Sequence, residues 1–538
     1  MSIVNDVNAT KRETERMLAL YGENHKITDG NYDKSLAVKC INGTFVGKKT
    51  AENVIAYKGI PFVGKQPVGE LRWKAPVDCE SDDGVYEAYY FGKCPRQEGN
   101  AGQVGSLYPQ SEECLYLNVW RAQSTEQGAK KPVMVWIHGG AFELGSAAEP
   151  REEGTNFIQE NPDVVLVSIE YRMNVFGFFH LSHLPDGGDY PDAQNLGLLD
   201  QVKALKWVHE NIAAFGGDPD NVTIFGESAG GASVTLVPLI EGAQKYIRRV
   251  IAESGAPVFS RSTEESITCT NEVMEALGCK TVADLQKVDV EKLVKTASAL
   301  LGLRVWAERD GSILPLDPYA AYADGAAKNV DFLQGCNKDE MSYFVWGFGL
   351  DGYKAFSDDR KAKKLEQLTA DEKALVESYC KDAKDVSPEY DGDCRLFDQI
   401  VFIAPLFRMS ENQTKAGGRN YTYFFTPESG TPLIRSGHAI ELSVVFNHPE
   451  ETLVTGRALD ETFCKTLRKM WVQFAKTGNP SLTADISPDG KSYEWPMYDS
   501  KDKYVMIFDE FNIHPEKEAD RKIIDWDRTY FLTKYYCI

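Results

Sequence analysis

Residues 222–230 read Val222-Thr223-Ile224-Phe225-Gly226-Glu227-Ser228-Ala229-Gly230. The apolar run predicts a buried strand, and it leads into a serine set between two glycines. A chain that turns this sharply from strand to helix forces its central residue toward strained backbone angles. Side chains two positions either side of the serine would then collide, so both positions require glycine. Such a turn lifts the Ser228 hydroxyl out of the sheet and aims it at a pocket, which points to acyl transfer. The pattern is short, and a chain with 44 glycines can produce it by accident. Its meaning therefore rests on features from distant parts of the chain.

The first lies upstream. Val133-Met134-Val135-Trp136-Ile137 predicts a buried parallel strand, and it runs into His138-Gly139-Gly140-Ala141-Phe142. Small residues let backbone N–H groups come within hydrogen-bond range of a developing oxyanion, and Ala229, after the serine, offers another N–H. Each such donor contributes roughly 3 to 4 kcal/mol of transition-state stabilisation. A base and an acid are needed next, in the chain order serine, acid, histidine. Only His438, His448 and His514 follow Ser228. His438 sits in a loop past the strand-like Tyr421–Phe425, where a base can approach the serine. His448 precedes Pro449 in a polar turn and His514 lies in a charged stretch, so both read as surface residues. For the acid, Val330–Gly335 reads as a strand and is followed by Cys336-Asn337-Lys338-Asp339-Glu340. Local sequence does not separate Asp339 from Glu340.

The chain resembles the type-B carboxylesterases, a group that includes cholinesterases, fungal lipases and bacterial p-nitrobenzyl esterases. The resemblance runs from about Val38 to about Tyr498. It is carried by Gly59-Ile60-Pro61-Phe62, Gly69-Glu70-Leu71-Arg72-Trp73, Glu113-Cys114-Leu115-Tyr116-Leu117-Asn118, Tyr171-Arg172, Asn195-Leu196-Gly197-Leu198-Leu199-Asp200-Gln201 and Phe215-Gly216-Gly217-Asp218-Pro219. It implies an α/β-hydrolase fold: a large, mostly parallel sheet flanked by helices, with helical insertions capping the active site. It also implies a triad of Ser228, His438 and Glu340, the glutamate of a Lys-Asp-Glu loop. Oxyanion donors fall on Gly140, Ala141 and Ala229; many relatives carry a third glycine where this chain has Ala141. Ser254 matches a serine that the family places after the next strand, outside the reacting groups. Relatives from oxidising compartments pair the equivalents of Cys94 with Cys114 and of Cys269 with Cys279. The alternative here is four reduced thiols at inherited positions.

Composition narrows the function class. The net charge of −21 argues against nucleic-acid binding, which needs a basic face. A hydrophobic content of 43% supports a well-packed core. No apolar stretch is long enough for a membrane span and Met1–Gly22 is polar, so a cytoplasmic location is expected, with secretion the alternative if a leader has been removed. Eleven cysteines leave at least one unpaired, and scattered histidines without a Cys-x-x-Cys argue against structural zinc.

Strand-like and helical runs alternate through the middle of the chain, the pattern of a parallel sheet. Strands are expected at Val133–Ile137, Val164–Ile169, Val222–Phe225, Arg249–Ala252, Val330–Gly335 and Tyr421–Phe425. A helix carrying Leu196, Leu199, Val202, Leu205, Val208 and Ile212 on one apolar face lies between the second and third. Val38–Ala75 predicts short antiparallel strands, Thr10–Leu20 a short helix, and Ser357–Glu389 exposed helices. The expected organisation is an N-terminal helical extension, residues 1–35, before one large domain, residues 36–538. Val258, Phe259 and Trp346–Phe348 are candidate pocket walls.

These observations imply hydrolysis of small or medium acyl esters through an acyl-enzyme, with no metal or organic cofactor, by a monomer or homodimer acting on a small-molecule ester. A lipase or cholinesterase is possible within the same fold, although the loop from Pro95 to Glu113 holds Tyr108 but no Trp to stack on quaternary ammonium. The contrasting class is a catalytically silent adhesion protein that keeps the fold. The presence of Ser228, Glu340 and His438 together argues against it.

Overall fold

The computed structural model describes residues 18–98, 109–366, 368–382, 392–450 and 452–517. The chain forms two compact units. One takes the residues up to Arg249 together with Ser260–Leu316; the other takes Val250–Phe259 and the residues from Asp317 onward.

In the first unit the longer strands are β1 (Ala37–Cys40), β2 (Asn42–Val46), β3 (Lys48–Ala51), β4 (Val54–Pro61), β5 (Asp82–Glu87), β6 (Tyr116–Ala122), β7 (Lys131–Ile137), β8 (Val165–Ile169) and β9 (Gly217–Glu227). Six of them lie side by side in the order β9-β7-β8-β6-β4-β3, and β1, β2 and β5 form a small sheet. β8 and β9 both run parallel to β7, whereas β6 is antiparallel to β8 and to β4. Residues 133–137 and 165–167 are almost wholly removed from solvent, which is why these strands read as unbroken apolar runs rather than alternating ones. The short antiparallel strands expected near the N-terminus are present. β6 was not anticipated as a strand, because Asn118 and Arg121 interrupt its apolar run. Asn118 is instead absorbed by the Gly59 N–H (2.9 Å) and the Ser168 hydroxyl (3.0 Å).

Helix α1 (Leu196–Asn211) is where expected, but its buried face is rotated. Leu198, Asp200, Gln201, Ala204, Leu205 and Val208 point inward, while Leu199 and Val202 are half-buried. The polar members explain the turn. Gln201 donates to the Ser233 hydroxyl at 3.0 Å, and Asp200 takes a forked pair of hydrogen bonds from Arg172 at 2.7 and 2.8 Å. Arg172 also donates to the Lys74 carbonyl at 2.8 Å, so this buried guanidinium is fully engaged. Of the expected N-terminal helix, residues 10–17 lie outside the described residues.

The second unit contains β10 (Arg249–Glu253), β11 (Asp331–Asn337), β12 (Asn420–Phe425), β13 (Val505–Asp509) and β14 (Asn512–Glu516), in the order β14-β13-β12-β11-β10. β11, β12 and β13 are parallel, and β14 folds back antiparallel. His514 therefore lies in this strand and is half-buried rather than fully at the surface. His448 also departs from expectation. It is buried, with Nδ1 3.0 Å from Glu450, because the turn after the apolar Leu442–Val445 helix draws it inward. The charged stretch falls in the helices Ser342–Glu366 and Ala370–Asp382, and residues 367 and 383–391 lie outside the described residues.

The Arg172–Asp200 pair generates a stability prediction. Asp200→Ala strands a buried guanidinium, and loss of one partner from such a pair costs about 3 to 5 kcal/mol. The urea midpoint of the variant should fall accordingly, and an unchanged midpoint would contradict the structural role given to this pair.

Candidate active site

The site residues expected from the sequence fall into two groups, one in each unit. In the first, β9 runs into Ser228 and helix α2 (Ala229–Leu236) begins at once. Ser228 sits at φ 57° and ψ −120°, a left-handed conformation that a serine holds only under constraint. A Cβ on Gly230 would lie 2.0 Å from the Ile137 carbonyl oxygen, and one on Gly226 would lie 2.6 Å from both that oxygen and the Gly230 carbonyl carbon. The two glycines are thus required by the end of β7 as well as by each other.

Immediately after β7, Gly140, Ala141 and Phe142 have φ of 104°, 56° and 60°. A Cβ on Gly139 would meet the Glu227 carbonyl at 2.7 Å and the Ser228 Cβ at 3.2 Å, so this loop abuts the serine turn. The Gly140 carbonyl accepts from the Glu143 and Leu144 N–H groups at 3.0 and 2.8 Å. Among the described residues no acceptor takes the N–H groups of Gly140, Ala141 or Ala229. Unpaired amides beside a helix N-terminus are suited to stabilise an anion. Ala141 keeps the backbone conformation its position demands despite its methyl group.

In the second unit, His438 donates from Nδ1 to Glu340 Oε2 at 2.6 Å. The other carboxylate oxygen accepts from the Ser254 hydroxyl at 2.6 Å and the Asn337 N–H at 2.7 Å. The His438 backbone N–H donates to the Glu340 carbonyl at 3.2 Å, which ties the two loops together. Asp339 faces elsewhere: Arg395 donates to it at 3.0 Å and Arg435 lies 3.6 Å away. Geometry thus separates two neighbours that local sequence could not. The imidazole lies among Phe402, Phe344 and Tyr343, with ring centroids 4.9, 5.5 and 6.1 Å away. Phe402 comes from a π-helical turn, Asp398–Ile403, a wide turn that recurs at functional sites. Of the anticipated wall residues, Phe259 packs edge-on against Phe402 at 5.7 Å, and Trp346 packs against Tyr343 at 5.6 Å. Phe344, Tyr343 and Phe402 were missed, since isolated aromatics carry no local signal.

Residues 34–522 match the sequence profile of the Carboxylesterase family. The chain belongs to the carboxylesterase family. Among its relatives is the para-nitrobenzyl esterase of Bacillus subtilis (strain 168), 34% identical over 496 residues, covering 88% of this chain and 96% of the relative. Carboxylesterase 1D of Rattus norvegicus is 31% identical over 523 residues, covering 87% and 89%. The solved structure of the Geobacillus stearothermophilus carboxylesterase EST55 superposes with a TM-score of 0.79 at 33% identity, over 92% of this chain and 99% of that one. This carboxylesterase is an ester hydrolase with the α/β-hydrolase fold. No described helix is long and apolar enough to cross a membrane. Cys94, Cys114, Cys269 and Cys279 are free thiols, so neither disulfide implied by the resemblance is formed.

A hydrogen-bonded serine–histidine–glutamate line is not by itself diagnostic in this carboxylesterase. Ser182 lies 3.0 Å from His180 Nε2, and His180 Nδ1 lies 2.8 Å from Glu308. Ser182 is exposed on a turn and does not share the left-handed backbone of Ser228.

A second buried acid adjoins Glu340. Glu441 accepts from the Asn337 side-chain amide at 2.7 Å. Burial, and then the Glu340 charge, push Glu441 up to about 7. A raised acid holds its proton in the folded chain where the unfolded chain has already lost it. Its contribution to stability is therefore full below the ordinary carboxyl range and declines as pH rises toward 7. Glu441→Gln keeps an acceptor for Asn337 and removes the charge. The melting temperature of the variant relative to wild type should rise between about pH 5 and about pH 8. A pH-independent difference would refute this.

Proposed function

We propose that this carboxylesterase cleaves small to medium acyl esters through an acyl-enzyme on Ser228, with His438 as base and then acid, and Glu340 orienting the imidazole. Gly140, Ala141 and Ala229 supply the oxyanion donors. The observation that carries this reading is the 2.6 Å contact between Glu340 and His438 Nδ1. It fixes the tautomer, leaving Nε2 as the proton acceptor, and it stabilises the imidazolium that forms during turnover. The backbone strain at Ser228 supports the assignment of the nucleophile.

In the first half-reaction the Ser228 oxygen bonds to the ester carbonyl carbon while His438 takes its proton. The carbonyl oxygen becomes an anion held by the backbone donors. Collapse breaks the carbon–oxygen bond to the alcohol, which leaves with the proton from His438. Water then repeats the sequence on the acyl-enzyme and releases the acid. No step calls on a metal or an organic cofactor.

The match over residues 34–522 supports treating residues 36–538 as one catalytic domain, with residues 1–35 as an extension. Cytoplasmic residence, and a monomer or homodimer, belong to the same proposal; the free thiols of Cys94 and Cys114 suit a reducing compartment. The acyl preference draws on the aromatic surroundings of His438 and on the similarity to a para-nitrobenzyl esterase.

Ser228→Ala should lower turnover by about a million-fold and abolish covalent labelling by a fluorophosphonate. Retained turnover in the purified variant would sink the assignment. Activity of the wild type should fall on the acid side as His438 takes up a proton, and a rate independent of pH with chemistry limiting would contradict its role as base. A panel of aryl esters of increasing acyl length, run beside a triglyceride emulsion and butyrylcholine, tests the substrate class. Preference for the emulsion or the choline ester would replace the proposed one.

A further inference from the structure

His138 lies at the end of β7, is buried, and has no part in the chemistry above. Its Nδ1 is 2.9 Å from the carbonyl oxygen of Gly139. A carbonyl can only accept, so Nδ1 carries the hydrogen. In a trans peptide the C=O of one residue and the N–H of the next point in opposite directions within one rigid plane. The carbonyl of Gly139 and the N–H of Gly140 belong to one such plane. Whatever grips that carbonyl therefore aims that N–H.

The plane needs gripping. It is flanked by two glycines, and with no Cβ on either side the peptide meets little steric resistance to rotation. The neighbouring planes are held by other means. The Tyr171 hydroxyl donates to the His138 carbonyl at 2.9 Å, and two backbone N–H groups hold the Gly140 carbonyl. Only the middle plane depends on an imidazole.

The imidazole is itself held in place. Its ring stacks on Tyr171 with centroids 4.6 Å apart. Its Nε2 is 3.3 Å from Glu170 Oε2, and the other oxygen of Glu170 is fixed by the Ser146 hydroxyl at 2.6 Å and the Ala147 N–H at 2.9 Å. Burial lowers the basicity of the His138 imidazole, but the Glu170 carboxylate more than offsets this and the net shift is upward. Space for the contact is kept by Gly145. A Cβ there would lie 2.8 Å from His138 Nδ1 and 2.7 Å from the Gly139 oxygen. Gly145 is in turn clamped by Gln97, which accepts from its N–H at 3.0 Å and donates to its carbonyl at 2.9 Å.

We propose that His138 is a positioning residue, whose Nδ1–H holds the Gly139 carbonyl so that the Gly140 N–H points at the oxyanion. The inference rests on the oxyanion role given to Gly140 under the proposed function.

The two amide side chains separate this role from simple packing. In Asn the amide nitrogen is bonded to Cγ, as Nδ1 is in histidine; in Gln it lies one bond further out, near the position of Nε2. His138→Asn can therefore replace the gripping N–H, whereas His138→Gln and His138→Ala cannot. With a p-nitrophenyl ester, the Gln and Ala variants should lose about 100-fold in kcat with KM little changed, the loss that follows removal of one oxyanion donor. Affinity for a trifluoromethyl ketone, which forms a tetrahedral oxyanion on the serine, should fall by a similar factor. The Asn variant should recover most of both. If the Ala variant does not fold, the Asn and Gln pair decides alone. Wild-type kcat in a folded Ala variant would overturn the proposal, as would equal losses in Asn and Gln or a loss confined to KM. A fluorophosphonate titration of each variant distinguishes the failures. If Ser228→Ala still labels, the underlying reading has fallen. If labelling needs Ser228 and the His138 variants are neutral, only the anchoring role has fallen.

Discussion

The end of β7 presses against the turn at Ser228, and much of the first unit follows from that contact. The Ile137 carbonyl leaves no room for a Cβ at residue 226 or 230. With both neighbours reduced to glycine, the chain reverses from strand to helix within one residue, and Ser228 takes left-handed angles that cost about 1 to 3 kcal/mol. The surrounding strands must hold that strain. They do so with unbroken apolar packing on both faces, which is why β7, β8 and the last part of β9 carry so little polar character. The same strand end turns directly into the loop bearing Gly140 and Ala141, so one element positions both Ser228 and the amides beside it.

The second unit solves a different problem, that of satisfying a carboxylate buried away from water. Glu340 is fully buried, yet every direction around it offers a donor: the Ser254 hydroxyl, the Asn337 amide and the His438 ring. A buried carboxylate hydrogen-bonded in this way is held in one orientation toward the imidazole. Glu441 shows the contrast. With fewer donors and with Glu340 nearby, it is pushed toward neutrality. Asp339, one residue from Glu340, is committed to Arg395 and Arg435. Neighbouring acids of similar chemistry thus meet three different sets of partners.

The turn at Ser228, the glycine-rich loop after β7 and the presence of the buried parallel strands were all legible, because each is a local demand on backbone shape or a period in hydrophobicity. The choice of Glu340 over Asp339 was not local; it rested on the family resemblance. β6 was missed because its buried Asn118 and Arg121 look like surface residues until their partners are known. The rotation of α1 was missed for the same reason, since Asp200 and Gln201 turn inward to meet Arg172 and Ser233. His448 was placed at the surface because a histidine before proline in a polar turn has no local sign of burial.

By itself the sequence determined where the backbone had to bend and which segments had to be dry. Glycine at 226 and 230 and uninterrupted apolar strands leave few alternatives, and these constraints act within a few residues. Tertiary structure alone decided which polar groups share a site. Ser254 meets Glu340 across 86 positions and Phe402 reaches His438 from a π-helical turn. Tyr171 stacks on His138 across the gap between two strands. Such partnerships are set by packing between distant segments, and no spacing along the chain encodes them.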